Sequence, residues 1–304
     1  MTDITANAKA IKEKAEKTAV ALGFFDGLHL GHTEVIKRAM LKSGLKSVIL
    51  TFNDNTPLPK FQSKEGSCII THEQKLMLFE KLGIDYIFAP DFSRVKDVTA
   101  EDFVRLVLAE RLNAAYVVCG YDFRFGKGGE GNPEILSRIC MELGIECETV
   151  PAVEVEGEIV SSTAIRKLIQ EGNVEKANKL LGYELSYSLP VIEGNRLGRT
   201  IGFPTINQII PPEMVQPKRG VYASWTVVDG KTYKSITNIG VKPTVRSSGE
   251  VVTETYIIGF SGDLYGKTVR ISLRFFLREE VKFEGLSSLG EQLARDVIRS
   301  ERGF

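Results

Sequence analysis

The sequence predicts an α/β domain built on a parallel, doubly wound sheet, followed by an antiparallel β-barrel with a C-terminal helix. Three observations predict it. Up to Gly182, short apolar runs alternate with stretches of helical periodicity, as in strand–helix–strand units. After Glu184 the helical pattern stops, and short β-rich runs are separated by glycines and prolines such as Gly194, Gly202, Pro204, Pro211-Pro212, Gly230 and Pro243. In the last stretch, from Ser287 to about Arg302, Leu286, Leu289, Leu293 and Val297 recur at helical spacing and are expected to pack on the barrel. The change of pattern divides the chain into domains 1–184 and 185–304.

Composition narrows the functional classes. At 304 residues the chain has room for two ordinary domains, and 43% hydrophobic with 26% charged residues is the balance of a soluble globular protein. The 39 Lys and Arg equal the 39 Asp and Glu, so no basic surface for nucleic acid or membrane is expected. The amino-terminal MTDITANAKAIKEKAEKT is polar, and no apolar run approaches the length of a membrane span; a cytoplasmic protein is expected. Cys68, Cys119, Cys140 and Cys147 are scattered and contain no C-x-x-C pair, so reduced thiols are expected.

In order, strands are predicted at Thr18–Phe24, Ser47–Phe52, Asp85–Ala89, Ala115–Cys119 and Glu146–Val150. Helices are predicted at His32–Leu41, at Thr71–Leu82 with Thr71 as cap, and at Thr99–Arg111 with Thr99 as cap. Two more are predicted at Asn132–Gly144, with Pro133 in its first turn, and at Glu171–Leu181. In the second half, strands are predicted at Ser188–Ile192, Gly220–Val228, Thr232–Asn238, Val251–Gly259 and Thr268–Phe276.

Ligands bind such sheets beyond the carboxyl ends of the strands, and three loops occupy that position. The first is Gly23-Phe24-Phe25-Asp26-Gly27-Leu28-His29-Leu30-Gly31-His32, which holds two of the chain's 3 histidines. Glycines admit a ligand close to the backbone, the following helix offers unpaired N–H groups, and imidazoles can stabilise charge on a phosphoryl oxygen. The second loop, Gly120 to Gly131, is glycine-rich, and taken alone reads as mobile. The third, Ser161-Ser162-Thr163-Ala164-Ile165-Arg166, is a hydroxyl-rich helix start with an arginine one turn in, which suits an anion.

The string G-x-F-D-G-x-H-x-G-H resembles nucleotidyltransferases with an H-x-G-H signature, and more closely the amino-terminal module of bacterial bifunctional riboflavin kinase/FAD synthetases. The resemblance implies a Rossmann-like nucleotidyltransferase fold that transfers AMP from ATP to FMN. It places Gly23, Phe24, Asp26, Gly27, His29, Gly31 and His32 at the ATP site, with the histidines stabilising developing charge. G-Y-D-F-R-F-G and S-S-T-A-I-R resemble two further family segments, which adds Asp122, Ser162, Thr163 and Arg166. One departure stands out: the family's T-F-x-P-x-P is here Thr51-Phe52-Asn53-Asp54-Asn55-Thr56-Pro57, without the early proline.

In the second half, Thr205 and Asn207 lie two residues apart on one face of an extended chain, and their oxygens suit Mg²⁺ when phosphates complete the shell. The surrounding Gly198-Arg199-Thr200-Ile201-Gly202-Phe203-Pro204-Thr205-Ile206-Asn207 resembles the riboflavin kinase signature of the same enzymes, as do N-I-G-V-K-P-T from Asn238 and the run from Glu254 to Gly266. The resemblance implies Gly198, Arg199, Gly202, Pro204, Asn238 and Arg278 at the ATP and flavin sites, Thr205 and Asn207 on Mg²⁺, and Glu254 as the acid–base residue. Gly262 to Thr268, GDLYGKT, looks like a P-loop but has one residue too few and precedes a strand, so a hairpin turn is expected. Implied ligands are riboflavin, FMN, FAD and ATP, with no nucleic acid or membrane. Two alternatives remain: a single-activity riboflavin kinase whose transferase module has decayed, and a non-catalytic flavin sensor.

Overall fold

The computed structural model describes residues 1–3, 5, 16–52, 68–194, 197–241 and 249–301. They fall into two compact units. The first holds the described residues as far as Phe52 together with Ile69–Ser162; the second holds Cys68 and the residues from Thr163 onward.

In the first unit, β1 (Thr2–Asp3), β2 (Thr18–Leu22), β3 (Lys46–Leu50), β4 (Tyr86–Phe88), β5 (Ala114–Gly120) and β6 (Glu146–Val150) form one parallel sheet in the order β1-β4-β3-β2-β5-β6. All five residues of β2 are buried, as its unbroken apolar run requires of a strand covered on both faces. The winding reverses between β2 and β5, which makes the end of β2 the switch point of the sheet. The N-terminal β1 extends the edge beside β4, an addition that its polar residues do not predict.

The helices of this unit start where their caps predict. α1 (Leu30–Met40) is capped by His29, and α2 (His72–Leu82) by a capping box of Thr71 and Gln74. α3 begins at Ala100–Asp102 under the Thr99 cap and continues as a π-helix over Phe103–Arg111, where the periodicity predicts a plain α-helix. α4 (Pro133–Glu142) has Asn132 as cap and proline in its first turn. A short hairpin of β7 (Glu154–Val155) and β8 (Glu158–Ile159) turns through Glu156 and Gly157, both at positive φ.

Both the helix that the Ser161–Arg166 segment opens and the one expected at Glu171–Leu181 are present, the second from Val174 onward. α5 (Ser162–Glu171) stops at Gly172, whose φ is +83°, and α6 (Val174–Leu181) restarts under an Asn173 cap. Asn178 ties α6 to the strands that follow: its amide donates to the Leu273 carbonyl at 2.9 Å and accepts from the Leu185 N–H at 2.7 Å.

The second unit contains β9 (Ser186–Pro190), α7 (Leu197–Thr200), β10 (Thr205–Ile209), β11 (Gly220–Val228), β12 (Lys231–Val241), β13 (Val251–Ile257), β14 (Thr268–Arg278) and α8 (Leu286–Glu301). The strands are antiparallel in the order β10-β13-β12-β11-β14-β9, and an Ile192–Asn207 bridge brings the two edges together, so the barrel is nearly closed. One buried face carries hydroxyls instead of hydrocarbon. Thr226, Ser235, Ser224, Thr237 and Thr255 form a chain of hydrogen bonds of 2.8, 2.8, 2.8 and 2.9 Å.

One expectation is corrected here. The GDLYGKT segment leads into β14 with no helix, as expected, but it is not a hairpin: β13 and β14 are not sheet neighbours, so it is a crossover. The α8 stripe does meet the barrel, where Val297 packs against Val221, Ala223, Ile236 and Leu277. Leu286 is 45% exposed, and Leu289, Leu293 and Val297 are half-buried, whereas Asp296 and Ser300 are fully covered. Asp296 and Ser300 lie on the same side of the helix as the stripe, three and seven residues after Leu293. The segment Asn53–Thr56 and the Lys242–Thr244 end of N-I-G-V-K-P-T lie outside the described residues.

Candidate active sites

The first site is the turn at the end of β2. Phe25, Gly27 and Leu28 all have positive φ, at +57°, +74° and +37°, so this turn is strained. A side chain at Gly27 would meet Ile69 at 2.8 Å, which reserves the position for glycine. Neighbouring groups hold the strain in place. The Asp26 carboxylate accepts from the Ile69 N–H at 2.9 Å, the Asp26 carbonyl from the Ser162 hydroxyl at 2.9 Å, and the Phe24 carbonyl from the Thr51 hydroxyl at 3.0 Å. The buried Phe25 ring meets Phe79 and His32 edge-on. Asp26 is itself buried, so its bond to the Ile69 amide shapes the loop.

The strained turn delivers two imidazoles to the N-terminus of α1. His29 is the N-cap, and its Nδ1 accepts the His32 N–H at 3.2 Å. An Nδ1 used as acceptor leaves the proton of a neutral ring on Nε2, so His29 can donate through Nε2. The two rings stack at 3.6 Å with 15° between planes. A Cβ on Gly31 would lie 3.3 Å from the His29 ring, and Gly23 likewise leaves room for the Phe25 ring. Phe24 lies under the Lys75 ammonium, 4.6 Å from its ring centroid.

The glycine-rich segment after β5 is pinned throughout. Phe125 and Gly131 exchange backbone hydrogen bonds of 3.3 and 2.8 Å, and the Phe123 and Phe125 rings stack. Gly126 presses on Ala100, and the Glu130 carboxylate accepts the Ala100 N–H at 2.8 Å. Asp122 is exposed on a cleft of about 660 Å³, together with Tyr121, Arg124, Asn132, Ser137 and Thr149. Ser162 opens α5; Thr163 and Arg166 follow in its first turns.

The second site lies on the barrel. Three residues far apart in sequence share one row: Asn207 on β10 faces Glu254 on β13, which faces Asn238 on β12. Residues directly opposite in antiparallel strands project from the same face, and Thr205, two residues before Asn207, shares it. Asn207 is buried, and its Oδ1 has no hydrogen-bond partner among the described residues. A buried carbonyl oxygen without a donor beside a threonine hydroxyl fits an oxygen-liganded cation. Gly194 lets the chain cross this amide, since a Cβ there would clash with it.

The loop before β10 is shaped by close backbone contact. The Phe203 N–H donates to the Gly198 carbonyl at 2.8 Å, and any Cβ on Gly198 would collide with the Phe203 carbonyl. Gly202 has a φ of +80°. Arg199, Pro204 and Thr205 line a cleft of about 730 Å³ with Glu193, Asp263 and Tyr265. The Arg278 guanidinium grips Asp296 and the Glu279 carbonyl. Sequence reasoning missed Phe25, Thr51 and Gly194, whose parts depend on contacts that no local motif encodes.

Imidazoles at a sheet's switch point, and an acid opposite two amides on a barrel, are two separate arrangements of a kind that suits phosphates. The class they suit is a two-module transferase that works on nucleotides. Residues 11–164 match the FAD synthetase family model and residues 181–304 the riboflavin kinase one. A bifunctional riboflavin kinase/FMN adenylyltransferase of Listeria monocytogenes is 36% identical over 282 residues, covering 91% of this chain and 89% of the relative. That of Bacillus subtilis is 33% identical over 301 residues, covering 97% and 95%. A solved structure described as a macrolide-efflux protein from Streptococcus pneumoniae has a TM-score of 0.84 at 31% identity, covering 94% of each chain. The chain belongs to the bifunctional riboflavin kinase/FMN adenylyltransferase family. Among its described residues, no helix is long and apolar enough to cross a membrane.

Proposed function

We propose that the chain carries out two consecutive reactions at two separate sites. It phosphorylates riboflavin to FMN with ATP, then adenylylates FMN to FAD with release of pyrophosphate. The observation that carries this reading is the presence of both matched modules, in this order, in one chain.

In the kinase step, the 5′-hydroxyl oxygen of riboflavin bonds to the γ-phosphorus of ATP, the bond from that phosphorus to the β–γ bridging oxygen breaks, and ADP leaves. Glu254 takes the hydroxyl proton, and Asn238 beside it orients the acceptor. Thr205 and Asn207 would hold Mg²⁺, which when bound neutralises phosphate charge. Arg199, Pro204 and the neighbouring glycines shape the nucleotide cleft. Replacing Asn207 with Leu should raise the Mg²⁺ needed for half-maximal FMN formation by about tenfold or more, with FAD formation from FMN unaffected. An unchanged Mg²⁺ titration would remove Asn207 from the metal site.

In the transferase step, an oxygen of the FMN phosphate bonds to the α-phosphorus of a second ATP, the α–β bridge breaks, and pyrophosphate leaves. The turn amides and His29 Nε2–H donate to the charge that develops, with His32 stacked behind or beside it. The family resemblance assigns Asp122, Ser162, Thr163 and Arg166 to the same nucleotide.

One incubation with riboflavin, ATP and Mg²⁺, with the products separated by chromatography, tests the whole reading. FMN and FAD together are expected. FMN alone would identify a single-activity kinase, and no turnover a flavin-binding sensor.

A further inference from the structure

The polar residue that α8 buries with a charge is Asp296, 1% exposed. A buried carboxylate is costly unless its oxygens are fully partnered, and here they are. Arg278 Nε donates to Oδ1 at 2.9 Å and to Oδ2 at 3.1 Å, Nη2 donates to Oδ2 at 2.7 Å, and Gln292 donates to Oδ1 at 2.9 Å. Arg278 is the last residue of β14, and its Nη1 donates to the Glu279 carbonyl at 2.9 Å, one residue along. The guanidinium therefore fixes the direction in which the chain leaves the sheet.

The next residue lands on the catalytic row. Glu280 Oε1 accepts from Asn238 Nδ2 at 3.3 Å. Gly240 makes room for it: a Cβ there would clash with the same oxygen. Asn238 in turn faces Glu254 in the β12–β13 register. A line of contacts thus runs from α8 through Arg278 and the 279–280 backbone to Glu280 and Asn238, which lies opposite Glu254 in the sheet.

We propose that Asp296 and Glu280 are positioning residues of the kinase reaction, which set the Asn238–Glu254 row from the C-terminal helix through Arg278. Docking the helix alone would not call for this pair, because well-packed apolar residues of similar volume dock as well or better. What a bidentate guanidinium–carboxylate pair adds is direction, through its planar fork. The proposal rests on the reading of Glu254 and Asn238 given above.

The test is a double-mutant cycle in the full chain: Asp296→Asn, Glu280→Ala, and both together. Each preparation is assayed for FMN formation from riboflavin and, separately, for FAD formation from added FMN. Each single substitution is expected to lower kcat/KM for riboflavin by about tenfold, mainly in kcat. The double variant should be no worse than the poorer single one, and FAD formation from FMN should be unchanged. Losses that multiply would make the two residues independent and overturn the proposal. So would a wild-type kinase rate in Glu280→Ala, whose side chain is exposed, or an equal loss of both activities in Asp296→Asn, which would mark a general stability role. If instead Glu254→Gln proves active while the cycle still shows coupling, the proton acceptor is misassigned and the positioning line stands.

Discussion

A chain with His29→Ala and His32→Ala together is expected to form FMN from riboflavin at the wild-type rate and to form no measurable FAD. Loss of a single preorganised donor to developing charge typically costs about 10² to 10³ in rate, and groups that act as a unit do not add. Both rings stack in one turn of one module, so the pair acts as such a unit. The complication is that His29 is also a helix cap, with Nδ1 accepting the His32 N–H. Losing a cap costs about 0.5 to 2 kcal/mol, a minor share of the roughly 5 to 15 kcal/mol that holds a domain folded. His29→Asn separates the roles: asparagine caps well but has no donor where Nε2–H stood. It should restore the melting temperature and leave FAD formation lost. Recovery of FAD formation in His29→Asn would show that His29 serves only as a cap, and loss of FMN formation in the double alanine variant would argue against separate sites.

The parts of these sites that are legible in the sequence are those written locally. Thr71, Thr99 and Asn132 announce their helices because a cap needs only a side chain and the N–H two or three residues on. The histidine turn is legible for the same reason, since strand, glycines, imidazoles and helix follow one another within roughly fifteen residues of chain. What cannot be read is register. Asn207, Glu254 and Asn238 meet only because β13 lies between β10 and β12, and one residue of slip would send the row to the opposite face. The Arg278–Asp296 pair is equally hidden, because the sequence cannot show that a carboxylate 18 residues later is buried beside the arginine. The same holds for α8: the leucine stripe announces the helix, but not that Asp296 and Ser300, on the same side, are its fully covered residues. The glycine-rich loop after β5 reads as mobile by composition, yet aromatic stacking and the Phe125–Gly131 bonds fix it.

The second large effect is expected from Glu254→Gln, which should lower FMN formation by about 10² to 10⁴-fold, the usual worth of a positioned proton acceptor. Glutamine keeps the length and hydrogen-bonding reach of the side chain and removes only its capacity to take the proton. Glu254 is exposed on the face of β13, so no core packing is disturbed. FAD formation from added FMN should be unchanged, whereas FAD formation from riboflavin should stop because FMN is no longer made. Kinase turnover within a few-fold of wild type would remove Glu254 from the reaction. Separate sites carry a stronger consequence when the two defective chains are mixed. The histidine variant still makes FMN, the Glu254 variant still consumes it, and FMN released into solution can pass from one to the other. The mixture should therefore convert riboflavin to FAD although neither chain does so alone, with a lag while FMN accumulates. A mixture that stays inactive would mean that one of the two chains lacks the activity assigned to it.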